Sequence, residues 1–531
     1  MPADIIFTNG IVYTVDRAMP RAEAVAILGD RVLAVGSADD VAGLTGPNTK
    51  VIDLGGRVLM PGLNDNHCHP PSYGENLQLV DATAQSVSSI AEIMGRFGVA
   101  ATSAAPNVWV RGWGYDDTRV AEMRHPTRHV LDAVVGGRPA YLTRTCGHIG
   151  VASSAALRLA GITSDTPNPQ GGEIDHDGSG EPTGVLRETA QRLVLDLIAE
   201  PTKDEIKRNL VVAGQKYLSM GITSWVDASI RRSEELLAYQ ELRNAGELPV
   251  RTYTMMLIDD TLDDLAALGI KTGFGDEWLR IGPAKVFQDG SGGGRTAAMS
   301  IPYPDQPDNF GIQVYTQAEL DDRFMRAAAA GFQCCAHAIG DRAIEMIIDA
   351  MGKALAAHPQ EDARWRIEHC GMMREDLLDR MVALKLVAVP QPSFIHYLGD
   401  SYIRNFSRQW LELAYPARDW IDRGILTIGS SDAPVTPADP WVGIRAAVTR
   451  LTLDGDKVGP EQGVSVAEAL EMYTLNGARG SFEEGIKGNL TPGKLADIIV
   501  LDRDPKAIAP EELHEVQVDL TMSGGRVVFE R

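Results

Sequence analysis

Residues 58–70 read VLMPGLNDNHCHP, an apolar strand-like run that closes on His67-x-His69. Residues i and i+2 of a strand share a face, so both imidazoles aim at one point and Cys68 between them points the other way. Such a pair is by itself a weak sign of metal binding. Its weight comes from the rest of the chain. Candidate strands follow at 221–229, 250–257, 281–290, 331–340, 364–370, 385–393 and 425–434. Helical patterns such as AELDDRFMRAAAA, RAIEMIIDAMGKALAA and REDLLDRMVALK lie between them. Eight strands alternating with helices predict a parallel (β/α)8 TIM barrel of the α/β class. A doubly wound sheet competes, but gives no reason for polar residues at the C-terminal ends of its strands.

Those ends carry the candidate chemistry. Lys285 lies in the fourth strand, His337 ends the fifth, His369 the sixth and Asp432 the eighth. In a barrel they surround one pocket. Each has an ordinary explanation: His369 as a backbone-bonded core histidine, Lys285 as a snorkelling amine, Asp432 as a turn or helix cap. Singly these suffice; jointly they explain five such placements poorly. Imidazoles and a carboxylate converging there predict one or two divalent transition metals, zinc first.

Outward from the barrel, the chain reads as β structure at both ends. IIFTNGIVYTV, AEAVAILGDRVLAVG and KVIDLGGRVLMPG open it; GKLADIIVLDRDP and VDLTMSGGRVVFER close it. The expected organisation is a small β-sandwich from residues 1–59 plus 489–531 and a barrel from 60–70 plus 206–488. Residues 71–205 are too long for a βα connection and read as an insertion covering the active site. A Gly/Pro/Asp-rich loop at 163–184 divides that insertion.

Composition narrows the partners. Fifty basic against 72 acidic residues leave a net charge of −22, which repels nucleic acid and anionic membranes. No apolar run reaches the ~18 residues of a membrane span, and no Sec signal is visible at the start. Five cysteines, two of them adjacent, form no disulfide framework, so a cytoplasmic setting is expected. The expected partner is a small-molecule substrate, and association with further copies of the chain is left open.

The stretches PGLNDNHCHP, KVFQDGSGGGRTAA, CCAHAIGDRA, RIEHC, GSSDAPV and NLTPGKLADIIVLDRDP together resemble the amidohydrolase superfamily of metal-dependent hydrolases. GHIGVASSAAL and GEPTGVLRE are similar to the branch that includes N-substituted formamide deformylase. The resemblance implies His67, His69 and Asp432 on a first metal, His337 and His369 on a second, and Lys285 carboxylated as the bridge. A buried cationic amine beside divalent metals is electrostatically untenable, and a carbamate makes it an anion. It further implies a C–N hydrolase of amide type that uses metal-activated hydroxide, the water's pKa falling from about 15.7 toward about 7. Asp432 would then carry the proton to the leaving nitrogen, and His148 would help hold the oxyanion.

Tyr73, Trp113, Tyr303, Phe394 and His396 lie beyond strand ends or in the insertion and are candidate walls of a partly apolar pocket. GSGGGR lacks the Gly-Lys-Ser/Thr ending of a phosphate loop. A deaminase of an aminated heterocycle on the same barrel is the alternative. It ranks lower because Lys285 is present and the fourth residue after His337 is Asp341 rather than Glu. A non-catalytic relative would have lost ligands, and none is missing.

Overall fold

The computed structural model describes residues 1–84, 86–103, 108–145, 147, 149–169 and 171–531. The chain divides into two compact units, residues 1–70 with 210–531 and residues 71–209.

The first unit contains a sheet of seven parallel strands. In chain order these are β1 (Leu63–Cys68), β2 (Ile222–Ile230), β3 (Arg251–Leu257), β4 (Leu279–Phe287), β5 (Cys334–Ala338), β6 (Arg366–His369) and β7 (Val387–Val389). Each pairs in parallel with the next, so spatial order follows sequence order. That is the topology of a nearly closed α/β barrel.

The expected eighth strand is not regular. Residues 425–434 touch β7 through Ala388 N to Leu426 O and Ile428 N to Ala388 O, both 3.0 Å. On the other side Asp432 N donates to His67 O at 2.7 Å and His69 N to Ala433 O at 2.8 Å. The segment therefore links β7 to β1 without a continuous ladder. Asp432 sits at φ +58°, which breaks the pleat where its side chain is needed.

The stretch that reads as one strand from 58 to 70 is two. Val58–Pro61 pairs antiparallel with Ile498–Leu501, whereas Leu63–Cys68 joins the barrel. The exchange falls at Gly62: its N–H goes to Asp497 O, and the next N–H, of Leu63, goes to Gly221 O. A Cβ at position 62 would stand 2.3 Å from Thr223 Oγ1, so only glycine fits this crossing.

The two ends of the chain share β structure. One four-stranded sheet comes from residues 5–53, and one six-stranded sheet combines Ile11–Tyr13, Arg21–Ala22 and Val58–Pro61 with Ile498–Leu501, Val518–Ser523 and Arg526–Glu530. One apolar cluster takes Phe7, Val25 and Ile27 from the first sheet and Leu59, Ile498 and Val500 from the second.

Helices follow the periodicity read above. Gln317–Ala329 starts at a capping box between Thr316 and Glu319. Asp341–Ala357 buries Ile344, Ile347, Ile348 and Met351 on one stripe. Among the described residues no helix is long and apolar enough to cross a membrane.

The unit of residues 71–209 has its own six-stranded sheet, with helix Ile90–Ser103 packed on an apolar core that includes Phe97, Leu131 and Leu142. The segment 163–184, expected as a loop, contains the strand Gly172–His176, paired antiparallel with Pro182–Glu188. Asp177 makes the turn between them, its carboxylate accepting from Ser179 N and Glu181 N. The run of Gly and Asp thus marks a hairpin rather than an unstructured link.

Candidate metal centre

β1 delivers His67 at its end and His69 one residue beyond Cys68. The Cys68 thiol turns away, against Val226 O at 3.5 Å. His67 is 1% exposed, and its Nδ1 donates to Glu368 Oε2 at 2.6 Å. Nε2 is thereby left with a lone pair, 3.6 Å from Asp432 Oδ1. His69 Nε2 lies 3.2 Å from the same oxygen, with Ser229 Oγ 3.3 Å from its Nδ1. One ligand atom from each of His67, His69 and Asp432 falls within 4.8 Å of the other two, the one such group among the described residues.

The second pair of histidines adjoins the first. The His369 ring is 4.8 Å from that of His67 and 4.2 Å from that of His337. His369 Nδ1 donates to Gln391 Oε1 at 2.6 Å; His337 Nε2 donates to Gly290 O at 3.0 Å. Each imidazole therefore keeps one nitrogen for a ligand. Strand alternation would send Glu368 and His369 to opposite faces, but φ values of +69° at His369 and +53° at Cys370 break the pleat at the end of β6.

Lys285 projects from β4, buried, with Nζ 3.3 Å from His67 Nε2 and 4.5 Å from the Phe287 ring centroid. Burial holds its ammonium below the ordinary lysine range. Burial, with Lys285 next in effect, drives His67 well below the ordinary imidazole value; burial and then His337 do the same for His369. Both rings are therefore neutral and available as ligands at neutral pH. Burial alone would raise Asp432, but the His69 ring 3.2 Å away and the neighbouring basic groups outweigh it, so its carboxyl lies below the usual range.

This arrangement fits a cation. Asp432 Oδ1 is buried and takes no hydrogen bond of sound geometry. A carboxylate oxygen facing an imidazole lone pair across 3.6 Å favours positive charge close by, of which the Lys285 amine 3.3 Å from that nitrogen is one source. Oxygen and imidazole donors together suit a divalent transition metal.

The other expected site residues divide. Phe394 stacks on His369, the rings 12° from parallel and 6.0 Å apart. Tyr303 is buried, its hydroxyl donating to Ala297 O at 3.0 Å and its ring 5.4 Å from Phe406. His396 meets Arg445 at 3.4 Å and Tyr397. Tyr73 and Trp113 belong to the unit of residues 71–209. His148 lies outside the described residues.

Sequence reading missed the supports: Glu368, Arg366, Gln391 and Asp289. Asp289 accepts from Ile339 N and Gly340 N at 3.0 and 2.7 Å, tying the end of β4 to the turn after β5. A signal for the first two was present. Two opposite charges at i and i+2 inside RWRIEHC face the same way in an otherwise apolar strand.

A parallel barrel with imidazoles and a carboxylate at its strand ends is the build of a metal-dependent hydrolase. The chain belongs to the Amidohydrolase family, which it matches over residues 50–529, and is an enzyme of the class acting on carbon–nitrogen bonds other than peptide bonds. It is 30% identical over 535 residues to the putative amidohydrolase YtcJ of Bacillus subtilis (strain 168), covering 99% of each chain. It is 31% identical to the N-substituted formamide deformylase of Arthrobacter pascens, covering 99% of this chain and 98% of that one. Among solved structures it resembles an uncharacterized metal-dependent hydrolase from Pyrococcus horikoshii OT3. That likeness has a TM-score of 0.78 and 28% identity, covering 95% of this chain and 99% of the other.

Proposed function

We propose that this enzyme hydrolyses the C–N bond of a small, partly apolar amide-type substrate, with zinc as its metal. The observation that carries the reading is the convergence of His67, His69 and Asp432 within 4.8 Å, with Lys285 Nζ 3.3 Å from His67 Nε2. His67, His69 and Asp432 hold a first cation, and His337 and His369 a second. A divalent cation so held supplies Lewis acidity and activates water.

Asp432, whose Oδ1 faces the cation with His67 and His69, takes a proton from the attacking water on its other carboxylate oxygen and returns it to the leaving nitrogen. The carboxyl lies below its ordinary range, so it is ionised and ready to accept at neutral pH. Lys285 is carboxylated: its neutral amine forms an N–C bond with carbon dioxide and releases one proton, and the resulting anion bridges the two sides. Its lowered affinity for protons favours that reaction. Phe394, flat against His369, gives the pocket an apolar wall and supports the choice of a partly apolar substrate.

The deaminase alternative gains nothing from Asp341, whose carboxylate is engaged by Ser300 N at 2.8 Å and Arg374 at 2.6 Å. The four described cysteines are free and buried, in keeping with a reducing compartment. The deciding experiment combines metal analysis with turnover on N-formyl, N-acyl, cyclic amide and aminopurine substrates. Release of amine from one of the amides, dependent on bound metal, is expected. Activity confined to the aminopurines, or full activity without metal, rejects the reading.

A further inference from the structure

Glu368 takes no part in the chemistry above, yet it is fully buried and its carboxylate is fully engaged. Arg366 donates Nε to Oε1 at 2.7 Å and Nη2 to Oε2 at 3.0 Å, while His67 Nδ1 donates to Oε2 at 2.6 Å. Arg366 Nη2 also holds Asn66 O at 2.8 Å, the carbonyl just before His67. Its Nη1 is buried without a partner, a cost retained for the sake of the other contacts.

The remaining imidazoles have weaker supports: His337 Nε2 bonds the neutral Gly290 O at 3.0 Å and stands 3.3 Å from Asp289 Oδ1, a longer contact than the 2.6 Å from His67 to Glu368. His369 leans on the neutral Gln391 amide, whose own orientation is set by Nε2 donating to Ser430 Oγ at 3.0 Å. His69 has only the Ser229 hydroxyl at 3.3 Å and a side chain that is 25% exposed.

We infer that Glu368, braced by Arg366, is a positioning residue: it fixes His67 as the Nδ1–H tautomer and makes it the strongest imidazole ligand of the site. A carboxylate only accepts, so the proton must sit on Nδ1 and the lone pair must face the pocket. Carboxylate support also raises the basicity of a ligand, and losing such support costs about 10–100-fold in metal affinity. This rests on the metal-centre reading above.

Glu368→Gln separates the roles. Its amide has one oxygen for the three donors that Glu368 serves; when that oxygen accepts from Arg366 Nε, the shorter arm of the fork, the NH2 group faces His67 Nδ1. In that orientation His67 switches to Nε2–H, placing a proton where the cation should bind, so the Nδ1–H form is no longer the whole population. The test uses the full-length enzyme stripped of metal. Zinc affinity is read by competition with a chromophoric chelator, and imidazole tautomers by long-range proton–nitrogen correlation on 15N-histidine-labelled protein. Glu368→Gln should lower zinc affinity about 10–100-fold and shift His67 out of the Nδ1–H form. The double variant Arg366→Met/Glu368→Gln frees the amide oxygen for His67 and should restore the Nδ1–H tautomer.

A folded Glu368→Gln enzyme with unchanged zinc affinity, or with His67 still wholly Nδ1–H, overturns the inference. If that variant does not fold, the apolar pair Arg366→Met/Glu368→Leu carries the test: the same loss of affinity is expected, and unchanged affinity overturns it. Wild-type enzyme that binds no zinc in this assay rejects the metal-centre reading itself. Wild-type binding matched by Glu368→Gln rejects only the role of Glu368.

Discussion

Asp432→Asn tests the proton carrier with little disturbance to the fold. The residue sits at φ +58°, a conformation that asparagine adopts more readily than most side chains, so the backbone is kept. The main-chain bonds from Asp432 N to His67 O and from Val435 N to Asp432 O, 2.7 and 2.8 Å, do not involve the side chain. What is lost is the capacity of the carboxylate to take a proton, together with one negative charge beside His67 and His69. The first loss is worth about 10²–10⁴ in rate, or ~2.7–5.4 kcal/mol of barrier. The second weakens cation binding, so turnover is measured at saturating zinc with the bound metal quantified in the same sample. Under those conditions loss of the cation no longer contributes to the rate loss. Turnover within ~10-fold of wild type, with metal bound, would show that Asp432 does not carry the proton.

Lys285→Ala should lose the second equivalent of metal and activity together, and short carboxylates added in solution should restore part of both. One equivalent per chain at full wild-type activity, with a bare lysine in electron density, rejects the carbamate. Asp227 is fully buried and pushed up to about 6 by burial, with Tyr239 donating to it at 2.7 Å. A carboxyl raised in the fold stabilises it at low pH, and that contribution is lost as pH rises from about 4 toward 6. Metal-free Asp227→Asn should therefore gain on wild type by up to ~3 kcal/mol between pH 4 and pH 7 in denaturant titrations, and a constant difference refutes this. Gly62→Ala should destabilise the protein by about 1–3 kcal/mol through its clash with Thr223, and adding Thr223→Ala should recover part of the loss. Strictly additive effects would show that the two positions do not meet.

The barrel was legible because its strands are buried on both faces and read as short β-branched runs with polar ends. Six of them fell where expected within a few residues. The first was misread as continuous because nothing in VLMPGLNDNHCHP announces that pairing partners change at Gly62; that exchange depends on Asp497 and Gly221, both distant in sequence. The last was misread as regular because ILTIGSSDAP has the composition of a strand, while its irregular course is set by what its two neighbours leave open. His67, His69, Lys285, His337, His369 and Asp432 stood out as titratable groups at repeated places. Glu368 and Gln391 did not, since a support is recognised by what it touches, and touching is a property of the folded chain.

The irregular link at 425–434 has a consequence for synthesis. Ser431 bonds Asp65 across 366 positions of sequence, so the two sides of this seam emerge from the ribosome far apart in time. At about 5–20 residues per second the delay is roughly 20–70 s. Throughout it His67 and His69 have been made but Asp432 has not, and a cation captured early would meet imidazoles without their carboxylate. A nascent chain is therefore expected to take up metal late, when the ring closes. Metal uptake would then serve as a clock for the final step of folding, and zinc added during refolding should quicken recovery only after the seam has formed.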